Sequence, residues 1–195
     1  MPKYIESNIS FDFDSNTWEH VIEFDKHPYY FKIEKLDKTK GVDFLAVNSN
    51  KLCLIEVKNF KFHRIDNKYR LTQGGNELMN EVALKIRDSL ACIVAANRNS
   101  TNDKIIWDNT LRILADKEKE VIVILWLEKD LERRKPSERR QKVKSYDYKR
   151  TLHNKLKWLI PTRSGINVLN KTNFYDKKLN EKLNFEVAFD NIENK

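Results

Sequence analysis

The segment KGVDFLAVNSNKLCLIEVKNF, residues 40–60, sets two carboxylates and an amine, Asp43, Glu56 and Lys58, into two otherwise apolar runs. Alternation over residues 42–48 and 52–58 predicts two strands joined by the polar turn NSNK. With Ser49 and Asn50 at the centre of that turn, Val47 faces Leu52 and, counting outward, Asp43 faces Glu56. Directly opposed residues of an antiparallel pair have β-carbons about 4.5–5.5 Å apart. Two ionised carboxylates held that close repel each other unless a cation lies between them. Glu56 and Lys58 share one strand face, and Lys58 falls opposite Gly41, which has no side chain to block an approaching substrate. Two hard oxygen donors beside an ammonium suit Mg2+ or Mn2+, an ion that keeps several waters and completes its shell with phosphate oxygens. Such an ion polarises a phosphoryl group and acidifies a bound water, while the ammonium orients that water. The matching reaction is hydrolysis of a phosphodiester. A solvated, salt-bridged strand rim is the competing reading, and a one-residue shift of the turn would take Asp43 out of opposition.

Elements around the hairpin must hold these groups in place. Ser15 as a cap predicts a helix from about Asn16 to His27, ahead of Pro28, and YYFKIEKL at 29–36 alternates like a strand. Leu78, Val82, Ile86, Leu90, Ile93 and Val94 recur at helical spacing and predict the longest helix, about residues 76–97. Lys85 and Arg87 on that helix read as surface charges. VIVILWL, residues 121–127, is a β-branched apolar run suited to a strand buried on both faces. A helix at 146–159, a short strand in GINVL and a last helix or frayed segment from about Asn170 complete the order. This is an α/β layer pattern.

On Gly41-Val42-Asp43 and Ile55-Glu56-Val57-Lys58 the chain resembles the PD-(D/E)XK nuclease superfamily, with its restriction-endonuclease-like fold. The resemblance covers about residues 15–127 and is similar in pattern to the Mrr-type and Holliday-junction-resolvase-like branches. It implies a core of helix, three strands, helix and strand, with a mixed central sheet flanked by helices and a C-terminal helical extension. It further implies Asp43 and Glu56 as metal ligands and Lys58 as a catalytic residue in a divalent-metal-dependent nuclease acting on DNA. Members of these branches add a glutamate from the first helix, after a large apolar residue. Trp18-Glu19 fits, so Glu19 is the expected third catalytic carboxylate and metal ligand, with Glu23 one turn later as the alternative. The Gln-x-x-x-Tyr element of another subgroup is absent, because Gln73 is followed four positions later by Glu77. Cores of this kind also serve as inactive nucleic-acid-binding or assembly modules, which is the alternative to the enzyme.

Charge placement agrees with a nucleic-acid partner. Of the formal net charge of +8, residues 128–157 carry +7, as twelve Lys or Arg against five acids. A concentrated positive segment attracts phosphate backbones. Arg133, Arg134, Lys135, Arg139, Arg140 and Lys142 are the expected contacts, unless the run is a solvated loop that only aids solubility. The 195 residues suit one domain, a nuclease-like core followed from about residue 128 by the basic segment and extension. Cys53 and Cys92 lie in separate apolar elements, as buried free thiols of a reducing, cytoplasmic compartment would. No run reaches the eighteen or so apolar residues of a membrane span. Cutting two strands would suit a homodimer. The sequence has no Gly-x-Gly-x-x-Gly, no Walker loop, no nucleophile-elbow serine and no Cys/His zinc spacing, which argues against those chemistries.

Overall fold

The computed structural model describes residues 3–33, 35–36, 38–61, 67–71, 75–129, 138–176 and 178–189. In chain order these form β1 (Lys3–Glu6), β2 (Ile9–Phe13), β3 (His20–Glu23), α1 (Tyr30–Ile33), β4 (Phe44–Val47), β5 (Lys51–Phe60), α2 (Lys68–Leu71) and α3 (Asn76–Asn99). They continue with α4 (Lys104–Ala115), β6 (Glu120–Lys129), α5 (Glu138–Leu156), β7 (Ile166–Leu169), α6 (Lys171–Asp176), α7 (Leu179–Leu183) and β8 (Phe185–Phe189). The result is a mixed α/β protein.

A five-stranded mixed sheet runs β3-β4-β5-β6-β7, antiparallel on its first two pairings and parallel on its last two. The parallel pairs require crossovers. Helices α3 and α4 make the first, from β5 to β6, and α5 makes the second, from β6 to β7. Strands β1, β2 and β8 form a separate antiparallel sheet of three.

Alternation along the central strands sends side chains to two different layers. Leu52 and Leu54 of β5, Leu45 and Val47 of β4, and Val123, Leu125 and Leu127 of β6 meet the apolar stripe of α3, including Leu78, Val82, Ile86 and Ile93, together with Trp107 of α4 and Leu152 of α5. Cys53, Ile55 and Val57, with Phe44 and Trp126, point the other way, into Phe11, Phe174 and Phe185 of the smaller sheet and its helices. Both thiols are free and buried, as expected. Among the described residues no helix is long and apolar enough to cross a membrane.

Three expectations need correction. The stretch predicted as a helix from Asn16 to His27 is a turn followed by edge strand β3, and the expected strand at 29–36 contains the one-turn helix α1. The cause of the first is Asp14, whose carboxylate accepts hydrogen bonds from the Asn16 amide and the Thr17 hydroxyl while its carbonyl accepts from the Thr17 and Trp18 amides. That is a single capped turn, and it goes no further because Val21 and Ile22 pair with Ala46 and Leu45 as a strand. The core order is therefore three strands without the expected leading helix. The second follows from the His27 carbonyl, which accepts the Tyr30 and Phe31 amides and starts a helical turn directly after Pro28. The third concerns the segment from Asn170, which contributes two short helices and then strand β8 instead of a single helix or a frayed end. The β1–β2 hairpin and α4 were not anticipated from the sequence.

Candidate active site

The register of the central hairpin follows from its turn. Val47 pairs with Leu52 and Phe44 with Ile55, where the registered pairing ends. The Asp43 amide donates to the same Ile55 carbonyl at 3.1 Å, one residue out of that register, so Asp43 does not stand directly opposite Glu56, contrary to expectation. Asp43 stands just before β4, and Glu56 lies midway along β5. Asp43 is 5% exposed and Glu56 is fully buried. Asp43 Oδ2 accepts the Val57 amide at 2.6 Å, which ties that carboxylate to the backbone of the strand that carries Glu56.

Two ammonium groups converge on this pair. Lys58 Nζ lies 2.6 Å from Glu56 Oε1 and 3.3 Å from Glu81 Oε1 on α3. Lys85, one turn further along α3, places Nζ 2.7 Å from Glu56 Oε1, 2.9 Å from Oε2 and 3.4 Å from Asp43 Oδ1. Neither ammonium reaches Oε1 in hydrogen-bond geometry, so that oxygen is held by ion pairing alone. Arg70 of α2 pairs with Glu81 and stacks over the Phe60 ring, closing the side of the cluster. Lys85 was expected at the surface. Instead it lies inside, because position 85 is on the same helix face as Val82, Ile86 and Ser89. Arg87, as expected, is largely exposed and pairs with Asp88.

The electrostatics follow from burial. Glu56 is pushed up to about 7 by removal from water and by the neighbouring Asp43, against the opposing pull of Lys58 and Lys85. Burial by itself would lower the Lys85 ammonium, but Glu56 and Asp43 outweigh it and raise it well above its ordinary range. Burial would likewise raise Glu81, yet Lys58 and Arg70 together leave it lowered.

A further acid, Asp25, shares this field. It follows β3, beside Phe24, whose amide donates to the Asp43 carbonyl at 2.8 Å. Its carboxyl is pushed up to about 6, first by burial and then by Asp43, with Lys85 acting in the other direction. Reading residues 16–27 as a helix hid it. Placing the strand at His20–Glu23 would have put an acid two residues past its end, next to the segment that holds Asp43.

The expected helix carboxylates are elsewhere. Glu19 lies just before β3 and accepts the Ser49 amide at 3.0 Å, at the turn end of the hairpin, away from Asp43 and Glu56. Glu23 pairs in register with Phe44, which faces the smaller sheet, so it points away from the Asp43 face and bonds Lys26 at 2.8 Å. Gly41 does not leave an open approach. A β-carbon there would lie 2.9 Å from Tyr30 Cε2 and 3.1 Å from Phe24 Cδ1, so the missing side chain makes room for two rings of the core. Of the expected phosphate contacts, Arg133, Arg134 and Lys135 lie outside the described residues. Arg139, Arg140 and Lys142 fall in the first part of α5, and their side chains are likewise outside what is described.

Asp43 and Glu56 are the residues that could hold a hard cation. Their pairing fits one ion whose remaining positions come from water and phosphate oxygens. Among the described residues there is no group of three or more His, Cys, Asp or Glu side chains disposed around a common metal position. The space between the two carboxylates is bridged by Lys85 Nζ. No protein-family model matches this chain, and neither a curated protein nor a solved structure does.

Proposed function

We propose that the protein is a divalent-metal-dependent nuclease that hydrolyses phosphodiester bonds, with DNA as the substrate its resemblance to PD-(D/E)XK enzymes suggests. The observation that carries this reading is the convergence of Asp43, Glu56 and the Lys58 ammonium along the second half of β5. Asp43 and Glu56 would hold Mg2+ or Mn2+, which when bound supplies Lewis-acid polarisation of the phosphoryl group and an acidified water. Lys58, anchored between Glu56 and Glu81, orients the attacking water and meets charge that develops on the phosphate. The burial that raises Glu56 also strengthens every charge interaction in the cluster. The basic stretch from 128 to 157 supplies backbone attraction.

The test is a cleavage assay on linear, circular, single-stranded and branched DNA and on RNA, with Mg2+ or Mn2+. Cutting that needs the metal and is lost in Lys58→Ala supports the nuclease. Cutting indifferent to Lys58→Ala rejects it.

A second reading has its own observation. Because Lys85 and Lys58 together already offset the charge of the carboxylate pair, the core can stand without a metal, as an inactive nucleic-acid-binding or assembly module would. Salt-dependent binding of duplex that is unchanged by Asp43→Ala and Glu56→Ala, with no cleavage, is the result that reading expects.

A further inference from the structure

Two buried carboxylates on neighbouring strands require a positive charge between them, and this protein supplies one from α3. Lys85 Nζ touches both oxygens of Glu56 and lies 3.4 Å from Asp43 Oδ1. The helix that carries it is fixed against the segment leading into Asp43. Ser89 Oγ accepts the Val42 amide at 3.0 Å and Asp88 Oδ2 accepts the Lys40 amide at 3.2 Å, one turn beyond Lys85. The backbone of position 85 is therefore held in place, whereas its four-carbon stem can rotate. Among the described residues Lys85 Nζ makes no ion pair other than those to Glu56 and Asp43.

We infer that Lys85 is a built-in counter-cation that a divalent ion must displace, so that it sets how tightly Asp43 and Glu56 take up metal and holds the pair assembled until then. The inference rests on the metal-dependent reading of the site and deepens it. Without metal, the ammonium offsets the repulsion between the two acids. On metal entry it would occupy the same space and carry the same sign as the ion, so it must leave, toward water or a substrate phosphate. A state that binds only after the ammonium has moved has its affinity reduced by the fraction of molecules in which it has moved.

Lys58 differs in this respect. It contacts Glu56 and Glu81 from the side and no contact joins it to Asp43, so its charge does not bridge the pair. Removing it takes away a neighbouring charge but leaves the bridging ammonium in place.

The experiment is calorimetric titration of the full chain with Mn2+, in wild type, Lys85→Met, Lys85→Gln and Lys58→Met, with circular dichroism confirming that each variant is folded. If the displaced state is a tenth or less of the wild-type population, Lys85→Met and Lys85→Gln bind Mn2+ about tenfold or more tightly than wild type. Lys58→Met shows a smaller change. A measurement on the wild type alone follows the ammonium itself by its nitrogen-15 resonance, which is expected to be protected from exchange without metal and to shift or broaden when diamagnetic Mg2+ is added. Equal or weaker Mn2+ binding by both Lys85 variants, or a Lys85 ammonium signal unmoved by saturating Mg2+, overturns the inference and leaves metal-dependent cleavage standing. No Mn2+ binding by wild type or by either Lys85 variant overturns both.

Discussion

The two faces of the central sheet are built from the same strands and have opposite chemistry. On the face covered by the smaller sheet, Phe11, Phe44, Trp126, Phe174 and Phe185 pack ring against ring, with Phe174 and Phe185 at 4.8 Å and Phe11 and Trp126 at 5.6 Å between centroids. On the helix-covered face the apolar packing is interrupted at one end by Asp43, Glu56, Lys58, Glu81 and Lys85. Strand β5 alone supplies Ile55 and Val57 to the first and Glu56 and Lys58 to the second. A closed aromatic layer explains itself through burial. A buried acid pair with two ammonium groups does not, since apolar residues of similar volume are often as stable in such places. That contrast is the physical reason to look for function on the helix side.

The largest expected effect separates the faces by activity. Asp43→Asn or Glu56→Gln lowers metal-dependent cleavage by about a thousandfold or more, a loss of several kcal/mol of transition-state stabilisation, while circular dichroism shows the fold retained. Residual cutting within tenfold of wild type would remove the acid pair from the reaction. The second effect is the converse. Trp126→Ala on the aromatic face costs about 3–5 kcal/mol in chemical denaturation, and under conditions where the protein stays folded its Mn2+ affinity is unchanged.

A third, smaller effect lies at the seam between the site and the core. Gly41→Ala forces its new methyl group against Tyr30 and Phe24 and is expected to cost about 1–3 kcal/mol. No loss would show that the rings move aside freely. The fourth concerns pH. Asp25 is an acid raised in the folded state to about 6, so its contribution to stability is fully present below its ordinary value near 4 and is lost as pH rises toward 6. Asp25→Asn should therefore gain stability on wild type as denaturation is repeated from pH 4 to pH 7. A difference independent of pH would mean that Asp25 titrates normally.

The hairpin was legible because two signals coincided, a polar turn at NSNK and an apolar run on each side, and these fix the register from Val47 and Leu52 out to Phe44 and Ile55. The one-residue offset at Asp43 beyond that pair was not legible. The buried strand at 120–129 and the long helix were legible for similar reasons of composition and period. Residues 16–27 were not. Trp18, Val21 and Ile22 suit a helical face, but Val21 and Ile22 are also good strand formers, and pairing with β4, a non-local event, decided between them. Trp18 itself reaches 165 positions along the chain to donate its indole hydrogen to the Leu183 carbonyl. Lys85 was misread because a lone lysine on a helix is ordinarily solvated. Only the docking of α3 over the end of β5 turns it inward. The basic residues 133–135 stay where the sequence left them, as an attraction to phosphate without a described position.

The pairing of β2 with β8 has a consequence for how the molecule is made. Ser10 bonds to Ala188 across 178 positions. At a synthesis rate of about 5–20 residues per second, the β2 strand waits roughly 10–35 s for its partner to be translated. Throughout that interval the nascent chain carries Phe11, Phe44 and, later, Trp126 with their lid missing, so the aromatic layer closes only when the last strand of the chain has been made.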